Sequence, residues 1–227
     1  MTRLCSFLKS SIGLKILMAV SGTGLCLFLL AHMAGNLLVL YSYEAYNNYA
    51  HTLTSNKILL YTAEAGLIAV VLLHIVVAIA LVRKNRAARR IPYQVKTNSG
   101  KSRRSWFSSN MIITGGFVLF FIPYHLWHFK YGEQPPIVQG GIEMHELSSL
   151  VKAEFSEIGQ VILYVIAMLV IGFHLLHGVR SLFATLGAET NRTARFVYLV
   201  SRGFVFVVMG GFAIIPIILF IRAVMNS

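Results

Sequence analysis

Five stretches of the chain are almost continuously apolar, and the segments between them are polar and rich in Asn, Ser, Gly and Pro. Each stretch is long enough to cross a bilayer, which takes about 20 helical residues. Backbone groups in lipid must satisfy their own hydrogen bonds, and continuous apolar runs differ from the alternating pattern of a membrane β-barrel. The pattern therefore predicts an all-α bundle of five transmembrane helices in a single domain over 1–227. The helices are expected at approximately 12–40, 58–82, 107–129, 157–184 and 196–224.

The composition excludes a soluble protein. Hydrophobic residues make up 56% of the chain and charged residues 12%, and the mean hydropathy is +0.70. An ordinary globular domain carries about twice that charged fraction, so lipid must be the solvent for most of the surface. The same composition excludes intrinsic disorder, a collagen-like chain and a disulfide scaffold.

The net charge is +12, and the positions of the basic residues along the chain indicate an orientation in the membrane rather than a nucleic-acid partner. Sixteen of the twenty basic residues fall on one side of the predicted helices, while most of the acids fall on the other. The positive-inside rule then places the N-terminus in the cytoplasm and the C-terminus outside. The largest basic group, between the second and third helices, is expected to contact lipid headgroups and leaves room for a cytoplasmic partner. It comprises Arg83, Lys84, Arg86, Arg89, Arg90, Lys96, Lys101, Arg103 and Arg104.

Six of the eight histidines lie within the apolar helices or at their ends, where an ionisable side chain is costly unless it is paired. They are His32, His74, His125, His128, His174 and His177. With a helical rise of about 1.5 Å per residue, His32 and His125 lie roughly 27 Å from the cytoplasmic ends of their helices. His74 and His174 lie roughly 13 and 16 Å from theirs. Two stacked haems, each held by two histidines from different helices, would need this arrangement.

Alternative roles for these histidines remain open at this point. A lone histidine inside a membrane commonly hydrogen-bonds a neighbouring helix. A zinc or di-iron site would require carboxylates or thiolates nearby, and the only acid well inside a predicted helix, rather than at its first residue, is Glu64. The third and fourth helices each carry a second histidine, His128 and His177, that could replace His125 or His174.

The residues around four histidines resemble a known family over nearly the whole chain. The stretches are His32-Met33-Ala34-Gly35-Asn36, His74 ahead of the basic segment, Tyr124-His125-Leu126-Trp127-His128-Phe129-Lys130, and Phe173-His174-Leu175-Leu176-His177-Gly178 followed by Ser181-Leu182-Phe183-Ala184-Thr185-Leu186-Gly187. Together they resemble the five-helix, di-haem cytochrome b subunit of succinate:quinone and quinol:fumarate oxidoreductases.

This resemblance implies two non-covalent b haems with bis-histidine ligation. His32 and His125 match the ligands of the distal haem, and His74 and His174 match those of the proximal haem. We also expect His177, Arg180 and Arg202 near the haems, with the arginines either contacting the propionates or extending to lipid headgroups. The implied partners are an iron–sulfur protein and a flavoprotein with FAD, in which the dicarboxylate chemistry takes place. The chain itself would relay electrons to or from a quinone, expected to be menaquinone, in the inner membrane of a bacterium.

A quinone that exchanges protons needs a protonatable group near its carbonyls. Candidates near the outer ends of the helices are Glu44, His51, Glu64 and His128.

Two other functions fit the sequence less well. One is the cytochrome b anchor of another quinone-linked complex, of the hydrogenase or formate dehydrogenase type. The other is a small transporter without haem, whose histidines pack helices or relay protons.

Overall fold

The computed structural model describes residues 2–88 and 110–226, and these residues form eight helices and one β-hairpin. The helices are α1 (Thr2–Leu8), α2 (Ser11–Tyr41), α3 (Tyr43–Ser55), α4 (Lys57–Ala87), α5 (Met111–Phe129), α6 (Leu147–Glu154), α7 (Ile158–Thr185) and α8 (Ala194–Met225). The antiparallel hairpin pairs β1 (Pro136–Gln139) with β2 (Ile142–His145).

Five helices, α2, α4, α5, α7 and α8, are long and apolar enough to cross a membrane. They confirm the predicted all-α membrane bundle, and their bounds differ from the expected ones by a few residues. Several basic residues between the second and third helices (Arg89, Arg90, Lys96, Lys101, Arg103 and Arg104) lie outside the described residues, as do positions 107–109 at the start of the third predicted helix.

Side-chain caps determine where several of these helices begin. The side chains of Ser10, Ser42 and Asn56 accept hydrogen bonds from backbone amides in the first turns of α2, α3 and α4. Such bonds satisfy amide groups that have no partner within the helix. Asn56 consequently separates α3 from α4, and Ser42 separates α2 from α3.

Among the described residues, the short elements between the long helices all lie at one end of the bundle. We call it the capped end: it comprises α3, the hairpin, α6 and the adjoining ends of the long helices. Gly140 and Gly141 form the hairpin turn with φ angles of +59° and +80°, a left-handed conformation that glycine adopts readily. Asn47 joins α3 to α6, because its amide oxygen accepts from the amide of Ser148 at 2.9 Å and its amide nitrogen donates to the Ser148 hydroxyl at 3.2 Å.

The best-packed part of the bundle lies between α2, α7 and α8. Buried residues of α7 and α8 belong to two apolar clusters, one in the middle of the bundle and one towards the capped end, where buried residues of α2, α3 and α6 join them. By contrast, Val77 is the only buried residue of α4, and Thr114 is the only one of α5. The inner faces of α4 and α5 are therefore only thinly covered by other described helices, and these two helices carry two of the four histidines discussed below.

Candidate haem and quinone sites

Four histidines from four long helices meet as two pairs. His74 on α4 faces His174 on α7, with ring centroids 6.4 Å apart and ring planes at 62°. We call this the inner pair. His32 on α2 faces His125 on α5, with centroids 5.8 Å apart and planes at 84°. This outer pair lies nearer the capped end.

The spacing within each pair suits a metal bound between two imidazoles. A metal–nitrogen bond of about 2 Å and about 1 Å from nitrogen to ring centre, counted on both sides, give about 6 Å between ring centroids. Both observed separations lie close to that value. Among the described residues no three His, Cys, Asp or Glu side chains are grouped to hold a metal ion. A site with only two protein ligands fits haem, because the porphyrin supplies the other four nitrogens.

The two pairs lie at different depths. His74 contacts Ser21 on α2, and His32 follows eleven residues later on the same helix. Eleven helical residues span about 16 Å, which separates the levels of the two pairs along the bundle. Each pair therefore lies at its own level along the bundle, as two stacked macrocycles require.

Hydroxyl groups lie beside three of the four rings. The Nδ1 atom of His74 is 3.2 Å from Ser21 Oγ, and Nδ1 of His174 is 3.2 Å from Thr114 Oγ1. In the outer pair, Nδ1 of His125 is 3.2 Å from the Tyr164 hydroxyl. A histidine that binds metal through one ring nitrogen ordinarily hydrogen-bonds through the other, so these contacts agree with ligation through Nε2.

Aromatic rings surround the outer pair. Phe28 stacks on His32 at 5.3 Å between centroids, and Phe212 lies on another side of that ring at 5.6 Å. Phe121 and Phe129 flank His125 one turn before and one turn after it. Such apolar walls exclude water and help to set the potential of a bound redox group.

The second histidines of α5 and α7 have different surroundings. Nδ1 of His128 contacts Glu154 of α6 at 3.0 Å, and its ring lies 4.4 Å from that of Tyr124. His177 lies about one turn beyond His174, and in the part of the chain that the structure describes it has no ring contact with another histidine. The structure thus brings together His125 and His174, rather than these alternatives, with the histidines of α2 and α4.

The C-terminal end of α5 is surrounded by polar contacts at the capped end. Lys130 pairs with Glu64 of α4 at 2.6 Å, and Tyr124 donates to the side-chain oxygen of Gln160 on α7 at 2.8 Å. With the His128–Glu154 pair, these contacts place two of the four quinone candidates around one helix end. The other two, Glu44 and His51, lie on α3, where Glu44 is exposed.

The two arginines expected near haem propionates have protein partners at the opposite end of the bundle. Arg180 binds Glu189 through Nε at 3.0 Å and Nη2 at 2.5 Å. Arg202 donates to the Tyr198 hydroxyl at 2.8 Å. Both guanidinium groups are therefore already hydrogen-bonded to side chains of this chain.

Several groups at these sites did not emerge from the sequence as candidates. Thr114, Tyr164, Glu154 and Gln160 lie 26 to 60 residues from the side chains that they contact. No local motif marks such pairings.

Comparison with known proteins adds no identification: no family model, curated protein or solved structure matches this chain.

Proposed function

We propose that this chain is a di-haem cytochrome b, the membrane anchor and electron-transfer subunit of a succinate:quinone or quinol:fumarate oxidoreductase. The observation that carries the proposal is the meeting of four histidines, each from a different long helix, in two pairs with metal-compatible spacing. The residue patterns around these histidines, which resemble that family, extend the proposal from a haem protein to this particular complex.

In this proposal His74 and His174 hold the inner haem, and His32 and His125 hold the outer one. Haem b would supply one-electron redox chemistry at each pair. The chain would contribute the imidazole ligands, hydrogen bonds that orient them, and apolar walls that keep water away. The iron–sulfur protein would dock on the basic end of the bundle, and the flavoprotein with FAD would bind to that protein and carry out the dicarboxylate chemistry.

The quinone, expected to be menaquinone, would bind at the capped end near Glu64 and His128. Each has a charged partner, Lys130 and Glu154 respectively, and proton exchange with a quinone requires groups of this kind. Glu143 is exposed on β2 and is not a quinone candidate, so Glu143→Gln serves as a matched control for Glu64→Gln. We expect Glu64→Gln to slow quinone turnover while the haem content is unchanged, and Glu143→Gln to leave both unchanged.

The first experiment is to purify the chain with the subunits that accompany it. Haem is quantified as the pyridine haemochrome and by the dithionite-reduced minus oxidised spectrum. We expect two b haems per chain, one after His74→Ala or His32→Ala, and two after His177→Ala or His128→Ala. A folded, haem-supplied chain without haem would refute the proposal. Two haems with a nickel or molybdenum protein as partner, in place of a flavoprotein, would refute the assignment to this complex.

A further inference from the structure

The two histidines of the inner pair each contact a hydroxyl on a neighbouring helix. His74 of α4 contacts Ser21 of α2, and His174 of α7 contacts Thr114 of α5, both at 3.2 Å through Nδ1. Ser21 is 2% exposed and Thr114 is 7% exposed. Thr114 is the only buried residue of α5, so this hydroxyl lies at the best-covered point of an otherwise thinly covered helix.

The hydroxyl protons in these contacts already have acceptors. Ser21 donates to the carbonyl of Leu17 at 2.8 Å, and the carbonyls of Asn110 and Met111 both lie 3.3 Å from the Thr114 oxygen. A hydroxyl that donates to its own helix retains lone pairs that can accept from another group. The oxygens of Ser21 and Thr114 therefore accept hydrogen bonds from Nδ1–H of the two rings. Because Nδ1 carries the proton in each ring, the lone pair that can bind a metal lies on Nε2.

Adjacent glycines let the rings approach these hydroxyls closely. A Cβ atom on Gly22 would lie 3.7 Å from Cε1 of His74, and one on Gly115 would lie 3.3 Å from Cε1 of His174. α2 and α5 thus present the same pair of features, a hydroxyl followed by a glycine, to a histidine from another helix. Each feature also precedes a histidine of the outer pair, His32 or His125, by eleven residues, which is about three helical turns.

The outer pair has no equivalent arrangement among the described residues. The polar group that contacts the His32 ring is the amide nitrogen of Asn36, a donor, at 3.3 Å from Nδ1. The orientation of that amide is fixed, because its oxygen accepts from Tyr46 and its nitrogen donates to the His32 carbonyl. His125 contacts the hydroxyl of Tyr164, which, unlike those of Ser21 and Thr114, does not donate to a carbonyl of its own helix.

We infer that Ser21 and Thr114 are positioning residues for the inner haem: they hold His74 and His174 in the Nδ1–H form and direct both Nε2 lone pairs to one iron. The inference rests on the proposed function. Accepting a hydrogen bond from Nδ1–H raises the electron donation of the ligating imidazole. Loss of either hydroxyl should therefore raise the midpoint potential of the inner haem and leave the outer haem unchanged.

The test uses the complete complex with Ser21→Ala or Thr114→Val. Each haem is followed by redox titration and electron paramagnetic resonance, and haem retention is followed by transfer to excess apomyoglobin. We expect both variants to shift the same haem to a more positive potential and to weaken its binding about 10- to 100-fold, the usual effect of removing such a partner. Thr114→Val preserves side-chain shape, so it carries the test if Ser21→Ala fails to assemble.

Conservative and matched variants separate this role from simple packing. Ser21→Thr and Thr114→Ser keep the hydroxyls and should retain the wild-type potential. Ser201 is equally buried, at 1% exposed, and donates to Val197 of its own helix without contacting a histidine. Ser201→Ala should therefore leave both haems unchanged.

Two different failures can be distinguished. A wild-type complex with two haems whose potentials and spectra are unchanged in Ser21→Ala and Thr114→Val would overturn the inference and leave the proposed function intact. A shift of different haems in the two variants would also overturn it, because both hydroxyls are assigned to one iron. A wild-type chain that binds no haem would overturn the inference together with the proposed function.

Discussion

Gly115→Val tests whether the inner histidine pair is a ligand site that tolerates little displacement. A Cβ atom at residue 115 would lie 3.3 Å from Cε1 of His174, already inside the usual carbon–carbon contact of about 3.5–4.0 Å. The methyl groups of valine extend a further bond of about 1.5 Å, so they can enter the space of the ring. Thr114 holds Nδ1 of the same ring at 3.2 Å, and the ring cannot move away without losing that hydrogen bond.

Overpacking of this kind costs about 1–3 kcal/mol. If this cost reduces the free energy of haem binding, haem affinity falls by about 5- to 150-fold, since each 1.4 kcal/mol is a factor of about ten. We expect Gly115→Val to lose most of one haem per chain, measured by pyridine haemochrome, and to retain the other.

The neighbouring glycine provides a matched control. A Cβ atom on Gly116 would meet nothing within 4 Å, so Gly116→Val makes the same chemical change in the same helix without approaching His174. It should retain both haems. The reasoning is refuted if Gly115→Val binds two haems with unchanged potentials, or if both variants lose haem equally.

Two further predictions concern the capped end. Asn47→Ala leaves the buried Ser148 amide without its acceptor and removes the donor to the Ser148 hydroxyl, and it should lower the free energy of unfolding by about 1–3 kcal/mol, measured by thermal unfolding in detergent. Asn48→Ala removes an exposed contact with Gln139 and should cost clearly less, and equal losses would contradict the prediction. Burial raises the pKa of Tyr46, so the folded state favours the neutral phenol. The contribution of Tyr46 to stability is therefore complete below the pKa of an unfolded tyrosine, about 10, and falls as the pH rises above that value. Tyr46→Phe should therefore flatten the decline in unfolding temperature above about pH 10, and an unchanged slope would count against a role for this tyrosine.

Local sequence determined the long helices, because the requirement for about 20 apolar residues per crossing leaves a signal within each segment. Ser11–Tyr41 and Ile158–Thr185, for example, differ from their predicted bounds by one residue at each end. The short elements at the capped end were not predicted. α3 and the hairpin consist of mixed polar and apolar residues, and they are held by contacts such as that between Asn47 and Ser148, 101 residues apart.

The features of the candidate site also divide into those that local sequence predicted and those that depend on tertiary structure. The sequence alone identified the histidines and their approximate depths, because the helical rise converts residue number into height. It did not determine which of two histidines on α5 or α7 faces a partner, since that depends on helix rotation about its axis. Only the tertiary structure turned His125 towards His32 and His128 towards Glu154. The contacts of the inner pair with Ser21 and Thr114 likewise depend on side-by-side packing of helices, which no local pattern in either helix predicts.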